Sequence, residues 1–167
     1  MNKNIKLKTE RLNIREFSLE DSKKVLSMSQ EKGIKKWMPD QVYSDIEQTK
    51  NILNFLIAQY DVEPDPRNNP YVLGIELKAN KELIGHIGLS AIEKGVEIGY
   101  AITDQYQKKG LASEAVLEFS GWVINKFALK SIWGIVNKNN KGSIKVLEKS
   151  NYQYVEEKGN QLLYVYR

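Results

Sequence analysis

Apolar and polar residues alternate most regularly in the middle of the chain. Tyr71, Leu73, Ile75 and Leu77 fall on every second position, the period of a half-buried strand. A turn over 79–81 leads to a second strand over 83–92, and a turn at Lys94-Gly95 to a third over 96–102. Connections this short join antiparallel neighbours. The period then lengthens: Ala112, Ala115, Val116, Phe119 and Val123 share one face of a helix predicted over 111–127. Residues 131–136 read as a short strand. Residues 143–150 read as a short helix carrying Ile144, Val146 and Leu147. Residues 152–158 and 161–166 read as a closing hairpin around Gly159-Asn160.

Upstream, 12–17 is a predicted first strand. Ser18, with Asp21 three residues on, forms a capping box opening a helix that ends near Gly33. Ser44 and Glu47 form a second such box before a helix with Ile46, Leu53, Leu56, Ile57 and Tyr60 at helical spacing. The order is β, α, α, three β, α, β, α, β, β. The β-α-β run over 96–136 requires a crossover, so one parallel pair sits in an otherwise antiparallel sheet. The fold class is mixed α/β (α+β), with about seven strands and about four helices.

Length and composition narrow the function. The 167 residues fit one domain over 1–167 with a real core. No apolar run nears the roughly 20 residues of a membrane helix. The polar segment 1–8 has no apolar core of a secretory signal. The chain has no cysteine, which excludes disulfides, thiolate metal sites and a cysteine nucleophile and fits a cytoplasmic location. A single histidine, His86, rules out a histidine-rich metal site, and no metal is expected. The net charge of +4 comes from scattered lysines, not a basic tract, so no nucleic-acid partner is expected. Three of the four prolines fall in 61–70, which reads as a surface loop.

The segment that carries chemistry is Gln107-Lys108-Lys109-Gly110-Leu111-Ala112, between a strand and the long helix. N–H groups at a helix start lack intrahelical partners and carry the positive end of the helix dipole, so they bind phosphate. Gly110 allows backbone angles barred to other residues, and Ala112 is too small to obstruct a ligand. Lys108 and Lys109 add positive charge. Alone, a glycine before a helix is most often a turn. The chain has neither G-x-x-x-x-G-K-[ST] nor G-x-G-x-x-G, which argues against a P-loop NTPase and a dinucleotide-binding dehydrogenase.

Q-x-x-G-x-A in this setting resembles the pyrophosphate-binding motif of the GNAT acetyltransferases, (Q/R)-x-x-G-x-(G/A). Other stretches resemble the Rim-type ribosomal-protein N-acetyltransferase branch. They are Thr9-Glu10-Arg11-Leu12-Asn13-Ile14-Arg15, Glu97-Ile98-Gly99-Tyr100, and Glu114-Ala115 after the motif. Residues 136–152 are similar to V-x-P-x-N-x-A-S-x-x-V-L-E-K-x-G-F, matching at Asn140, Ser143 and Val146-Leu147-Glu148-Lys149. The chain departs at Lys138, Gly142, Asn151 and Tyr152, and Lys108 stands where the branch often has glycine. Asn151 is a mild change, because asparagine tolerates the left-handed conformation that ends a helix.

The resemblance implies a twisted sheet whose fourth and fifth strands splay apart, and transfer of acetyl from acetyl-CoA to an amine. That amine is a protein N-terminus or a small molecule. The pantetheine arm of CoA would lie between the splayed strands. Backbone groups of Ala101 and Ile102 would pair with it like an added strand and stabilise the developing oxyanion. Glu97, on the strand face of Gly99 and opposite Val96, Ile98 and Tyr100, is the first candidate base, acting through water. His86 is the second, on a strand face shared with Ile84. Ser143 is the candidate acid. Asn140 is a helix N-cap or a contact to the CoA arm, and Lys141 and Lys145 approach the CoA phosphates. Trp37, Met38, Tyr43 and the loop before Pro70 are candidate acceptor-site residues, with Asp40, Asp45 or Glu63 attracting a cationic amine. The alternative is a non-catalytic acyl-CoA-binding or sensing domain of the same fold. The chain would act as a monomer or homodimer, with no membrane partner.

Overall fold

In the computed structural model, which describes residues 4–167, a hairpin of β1 (Ile5–Lys8) and β2 (Leu12–Arg15) opens the chain. Helices α1 (Ser22–Ser29), α2 (Lys32–Trp37) and α3 (Ile46–Ala58) follow. The meander is β3 (Tyr71–Leu77), β4 (Leu83–Ile92) and β5 (Gly95–Ile102). Helix α4 (Leu111–Lys126) crosses to β6 (Ile132–Asn137), followed by α5 (Lys141–Lys149) and the hairpin β7 (Gln153–Lys158) and β8 (Gln161–Tyr166). The strands form one sheet in the order β1-β2-β3-β4-β5-β6-β8-β7. Every neighbouring pair is antiparallel except β5 and β6, which are parallel, as the crossover requires.

The eight strands and five α-helices among the described residues exceed the sequence expectation by one each. The extra strand is β1. Its four residues offer two apolar side chains, Ile5 and Leu7, and it exists because it pairs with the fully buried β2. The extra helix arises because the one expected from Ser18 to Gly33 is broken. Asp21 does accept from the Ser18 N–H at 2.9 Å, but this cap opens a 3-10 turn, Leu19–Asp21, before α1. Glu31 is then extended, with φ −70° and ψ 150°, and restarts the chain as α2. The cap of α3 also differs. Asp45, not Ser44, accepts from the Gln48 N–H at 2.8 Å, and Gln48 Oε1 accepts from the Ser44 N–H at 2.6 Å. The box is shifted by one residue, onto the aspartate.

Two apolar clusters sandwich the sheet. The larger joins Ile14, Leu73, Ile87, Leu89 and Ile98 of the strands to Ala115, Val116, Phe119 and Val123 of α4. The smaller joins Phe17, Met28, Leu53 and Leu83, beneath α1 and α3. A buried ionic cluster ties β2, β3 and the start of α1. Arg15 donates to both Asp21 oxygens at 3.0 Å and through Nε to Glu76 Oε2 at 2.7 Å.

A bulge changes how β4 presents its side chains. Ile75 pairs with Gly85 but Glu76 pairs with Leu83, so β4 spends two residues against one of β3. Ile84 enters the larger core, while His86 lines a cavity on the opposite face of the sheet. The expectation that His86 shares a strand face with Ile84 is therefore corrected. The two-residue period fails at the bulge.

Candidate active site

β5 and β6 share one ladder pair, Glu97 with Trp133. β8 takes the whole length of β6, and β4 takes the other edge of β5 from Gly95 to Ile102. Beyond Glu97, the β6-facing edge of β5 is left without a strand partner. A cleft of about 1100 Å³ opens there. It is lined by the whole stretch from Glu97 to Ile102, by Gly134 to Asn137 of β6, and by the starts of α4 and α5.

The end of the cleft is the turn into α4. Lys108 (φ 61°) and Gly110 (φ 77°) are both left-handed, which curls the backbone before the free N–H groups at the start of a 16-residue helix. Any other residue at Gly110 would be strained by its backbone angles, by about 1–2 kcal/mol. Its space is not crowded, since an added Cβ meets only an Arg11 Nη2 at 3.5 Å. Gln107, Lys108, Gly110, Leu111 and Ala112 line the cleft. Gln107 also braces the turn, donating to the Ile102 carbonyl at 2.9 Å. Lys109 stands outside the lining, its ammonium 5.2 Å over the Tyr106 ring.

A latch holds this turn from behind. Glu114, on the first turn of α4, accepts from Thr9 Oγ1 at 2.6 Å, from the Arg11 N–H at 2.8 Å and from Arg11 Nε at 2.7 Å. Arg11 Nη1 also donates to the Lys109 carbonyl at 3.0 Å. Burial opposes the Glu114 charge, but the bonds from Thr9 and Arg11 hold its carboxyl below the usual range.

Glu97 is half-buried in the cleft beside Gly99, opposite Ser90 in register. Burial pushes its carboxyl above the usual glutamate range. Across the cleft, Asn140 caps α5 by accepting from the Ser143 N–H at 3.2 Å. The Ser143 hydroxyl lies 2.7 Å from the Tyr100 hydroxyl, which also donates to the Ser143 carbonyl at 3.2 Å. Burial pushes the Tyr100 phenol up to about 12. Tyr100 lies on the strand face opposite Glu97, as its spacing predicts, and packs against the larger core, while its phenol reaches α5 at the cleft, a contact that no local spacing reveals.

Trp37, Met38, Asp40, Asn140 and Lys145 line the cleft, whereas the Lys141 ammonium donates to the Lys138 carbonyl at 2.9 Å, outside it. Asp45 caps α3, and Glu63 is exposed and borders neither cavity. His86 and Tyr43 line a second, inner cavity of about 230 Å³ beneath α1 and α3, with Pro70 at its edge. Burial lowers His86 to about 4, so its imidazole is neutral at pH 7. Among the described residues, no group of three or more histidine or acidic side chains is placed to hold a metal ion. Among the same residues, no helix is long and apolar enough to cross a membrane.

A splayed parallel pair, with a glycine turn feeding a helix at its end, defines an acetyltransferase architecture. The profile of the acetyltransferase (GNAT) domain matches residues 11–153, and the chain belongs to that family. It is 27% identical over 150 residues to the uncharacterized N-acetyltransferase YoaA of Bacillus subtilis (strain 168), covering 88% of this chain and 82% of the relative. Two solved structures share the fold. One is the microcin C7 self-immunity acetyltransferase MccE in complex with acetyl-CoA and AMP (TM-score 0.78, 15% identity, 99% and 97% coverage). The other is the ribosomal L7/L12 α-N-protein acetyltransferase RimL in complex with coenzyme A (TM-score 0.77, 17% identity, 98% and 97% coverage).

Proposed function

We propose that this chain is an acetyl-CoA-dependent N-acetyltransferase that moves acetyl directly from the thioester to a primary amine, with both substrates bound together. One observation carries the reading. A single cleft holds the unpartnered edge of β5, the start of α4, the Glu97 carboxyl and the Tyr100–Ser143 hydroxyl pair. The name of the Bacillus subtilis relative supports nitrogen as the accepting atom.

Acetyl-CoA supplies an activated acetyl group and a thiolate leaving group. The chain supplies binding, orientation and proton transfer. N–H groups at Leu111 and Ala112 receive the pyrophosphate, with Lys108 alongside. Ala101 and Ile102 pair through their backbone with the pantetheine arm, and a backbone N–H there stabilises the oxyanion. Asn140, its side-chain oxygen committed to Ser143, offers Nδ2 to the same arm. Glu97 accepts the amine proton through a bridging water as nitrogen attacks the carbonyl carbon. The C–N bond forms as the C–S bond breaks, and Ser143, backed by Tyr100, donates a proton to the departing sulfur. Glu97 releases its proton to solvent and the hydroxyl pair regains one, leaving an amide and a free thiol.

The test is thiol release from acetyl-CoA over a panel of primary amines. Sustained, amine-dependent release is the expected result. Saturable acetyl-CoA binding with no release on any amine would instead assign a non-catalytic acyl-CoA-binding domain.

A further inference from the structure

The inner cavity has no role in the mechanism above, yet it opens onto the same strand face as the Glu97 carboxyl. In the antiparallel register, Glu97 pairs with Ser90, Gly99 with Gly88 and Ala101 with His86. Paired residues share a face, so these six form one track across β4 and β5. Ser90, Gly99 and Ala101 border both the cleft and the cavity, so the two spaces meet there. Gly99 is half-buried, yet an added Cβ would meet nothing within 4 Å, which places a hollow beside Glu97.

The cavity walls are mostly apolar, with Phe17, Val25, Met28, Leu53, Leu56 and Val72 among them. An empty apolar cavity of about 150 Å³ admits benzene, so one of about 230 Å³ holds a phenyl or branched alkyl group. Among the described residues, the one carboxylate at its border, Glu31, is already engaged by the Thr103 hydroxyl and by the Asp104 N–H at 3.0 Å. A polycationic acceptor therefore finds no free counter-charge inside. His86 lies one strand step of two residues, about 7 Å, beyond Gly99. Its Nε2 is buried without a hydrogen-bond partner among the described residues. A buried polar atom of this kind is satisfied by a water or by a ligand group. The neutral imidazole offers one donor and one acceptor.

We propose that the inner cavity is the specificity pocket for the acceptor. Its ligand is a primary amine with a compact apolar body and one hydrogen-bonding group at the far end, met by His86. The same chemistry occurs in a free amine and in the first residue of a peptide. The proposal rests on the acetyl-transfer reading for the amine, but the cavity can be tested apart from turnover.

The assay compares kcat/KM for phenethylamine, tyramine, spermidine and the tripeptide tyrosyl-glycyl-glycine. Both aromatic amines should exceed spermidine at least tenfold, and tyramine should exceed phenethylamine by about tenfold through its hydroxyl. His86→Leu should erase the preference for tyramine over phenethylamine by raising the KM of tyramine, in a variant shown to be folded by its retained acetyl-CoA thermal shift. Turnover of the tripeptide at the tyramine rate identifies a peptide acceptor, and a much lower rate identifies a free amine; both support the pocket. Spermidine matching phenethylamine, or an unchanged tyramine preference in His86→Leu, overturns it. If no amine releases thiol, the transfer reading fails while the cavity is still decided by binding of the unreactive N-(2-phenylethyl)acetamide. Binding to the natural chain that is lost in a folded Val25→Trp variant supports the pocket, and no binding overturns it.

Discussion

Glu114→Ala removes the latch behind the Gly110 turn without touching Glu97, Tyr100 or Ser143. Three donors lose their acceptor: the Thr9 hydroxyl, the Arg11 N–H and Arg11 Nε. Thr9 is buried, so its hydroxyl bears most of the penalty, roughly 1–1.5 kcal/mol, whereas the Arg11 N–H is exposed and turns to water. The Arg11 side chain is 45% exposed, which limits the ion pair to about 0.5 kcal/mol. The total is about 2 kcal/mol, or a fall in Tm of roughly 4–8 °C for a chain of this size. Freed from Arg11, the turn at Lys109 should order only on binding, so the Kd for acetyl-CoA should rise several-fold while kcat at saturation changes little. The pH dependence has a defined sign. The Glu114 carboxyl is depressed in the folded state, so its contribution is complete above the unfolded range near pH 4 and is lost as pH falls through the folded value. The wild-type advantage should therefore be full at pH 7 and shrink in acid. The assays are thermal unfolding from pH 3 to 8 and calorimetric titration with acetyl-CoA. An unchanged Tm at pH 7, or an unchanged Kd in a variant that has lost the expected stability, would refute the latch.

Glu97→Gln should slow transfer more at pH 7 than at pH 9.5, where more of the amine is already neutral; equal slowing at both would remove Glu97 as the base. Because burial disfavours the ionised form of Glu97, that variant should also unfold at a higher temperature than wild type above pH 5. Tyr100→Phe should lower kcat without raising the Kd for acetyl-CoA, since it strips the partner from the Ser143 hydroxyl; a pure Kd effect would make Tyr100 a packing residue. Arg15→Ala removes the guanidinium from the buried Asp21 and Glu76 carboxylates and should destabilise by about 3–5 kcal/mol in denaturant unfolding, with a loss below 1 kcal/mol counting against the buried cluster.

What could be read in the sequence was what local spacing controls. The strict alternation at Tyr71, Leu73, Ile75 and Leu77 and the tight turns after it located the meander and the antiparallel pairing of β3, β4 and β5. The turn at Gly110 was legible because a left-handed glycine at a helix start is a local signal. Asn151 takes the left-handed conformation after α5, at φ 67°, as its tolerance for that region suggested. Features made by distant contacts were hidden. Glu31 breaks the first helix while its carboxylate engages Thr103 and the Asp104 N–H, more than seventy residues on. The short β1 is specified by β2, not by its own four residues. The bulge that turns His86 away from Ile84 adds a single residue, which no periodicity forecasts. Tyr100 and Ser143 meet only when β5 and α5 pack, and the inner cavity exists only between α1, α3 and the sheet.

Thermal unfolding of the chain with and without acetyl-CoA, with ATP and NAD as controls, tests the central assignment most directly. At one hundred times Kd, linkage stabilises the folded state by about 2.7 kcal/mol. That corresponds to a rise in Tm of roughly 5–11 °C for a chain of this size. The cleft between β5 and β6 calls for that rise with acetyl-CoA and none with ATP or NAD. An unchanged Tm at millimolar acetyl-CoA, or an equal rise with ATP, would contradict the assignment of the cleft.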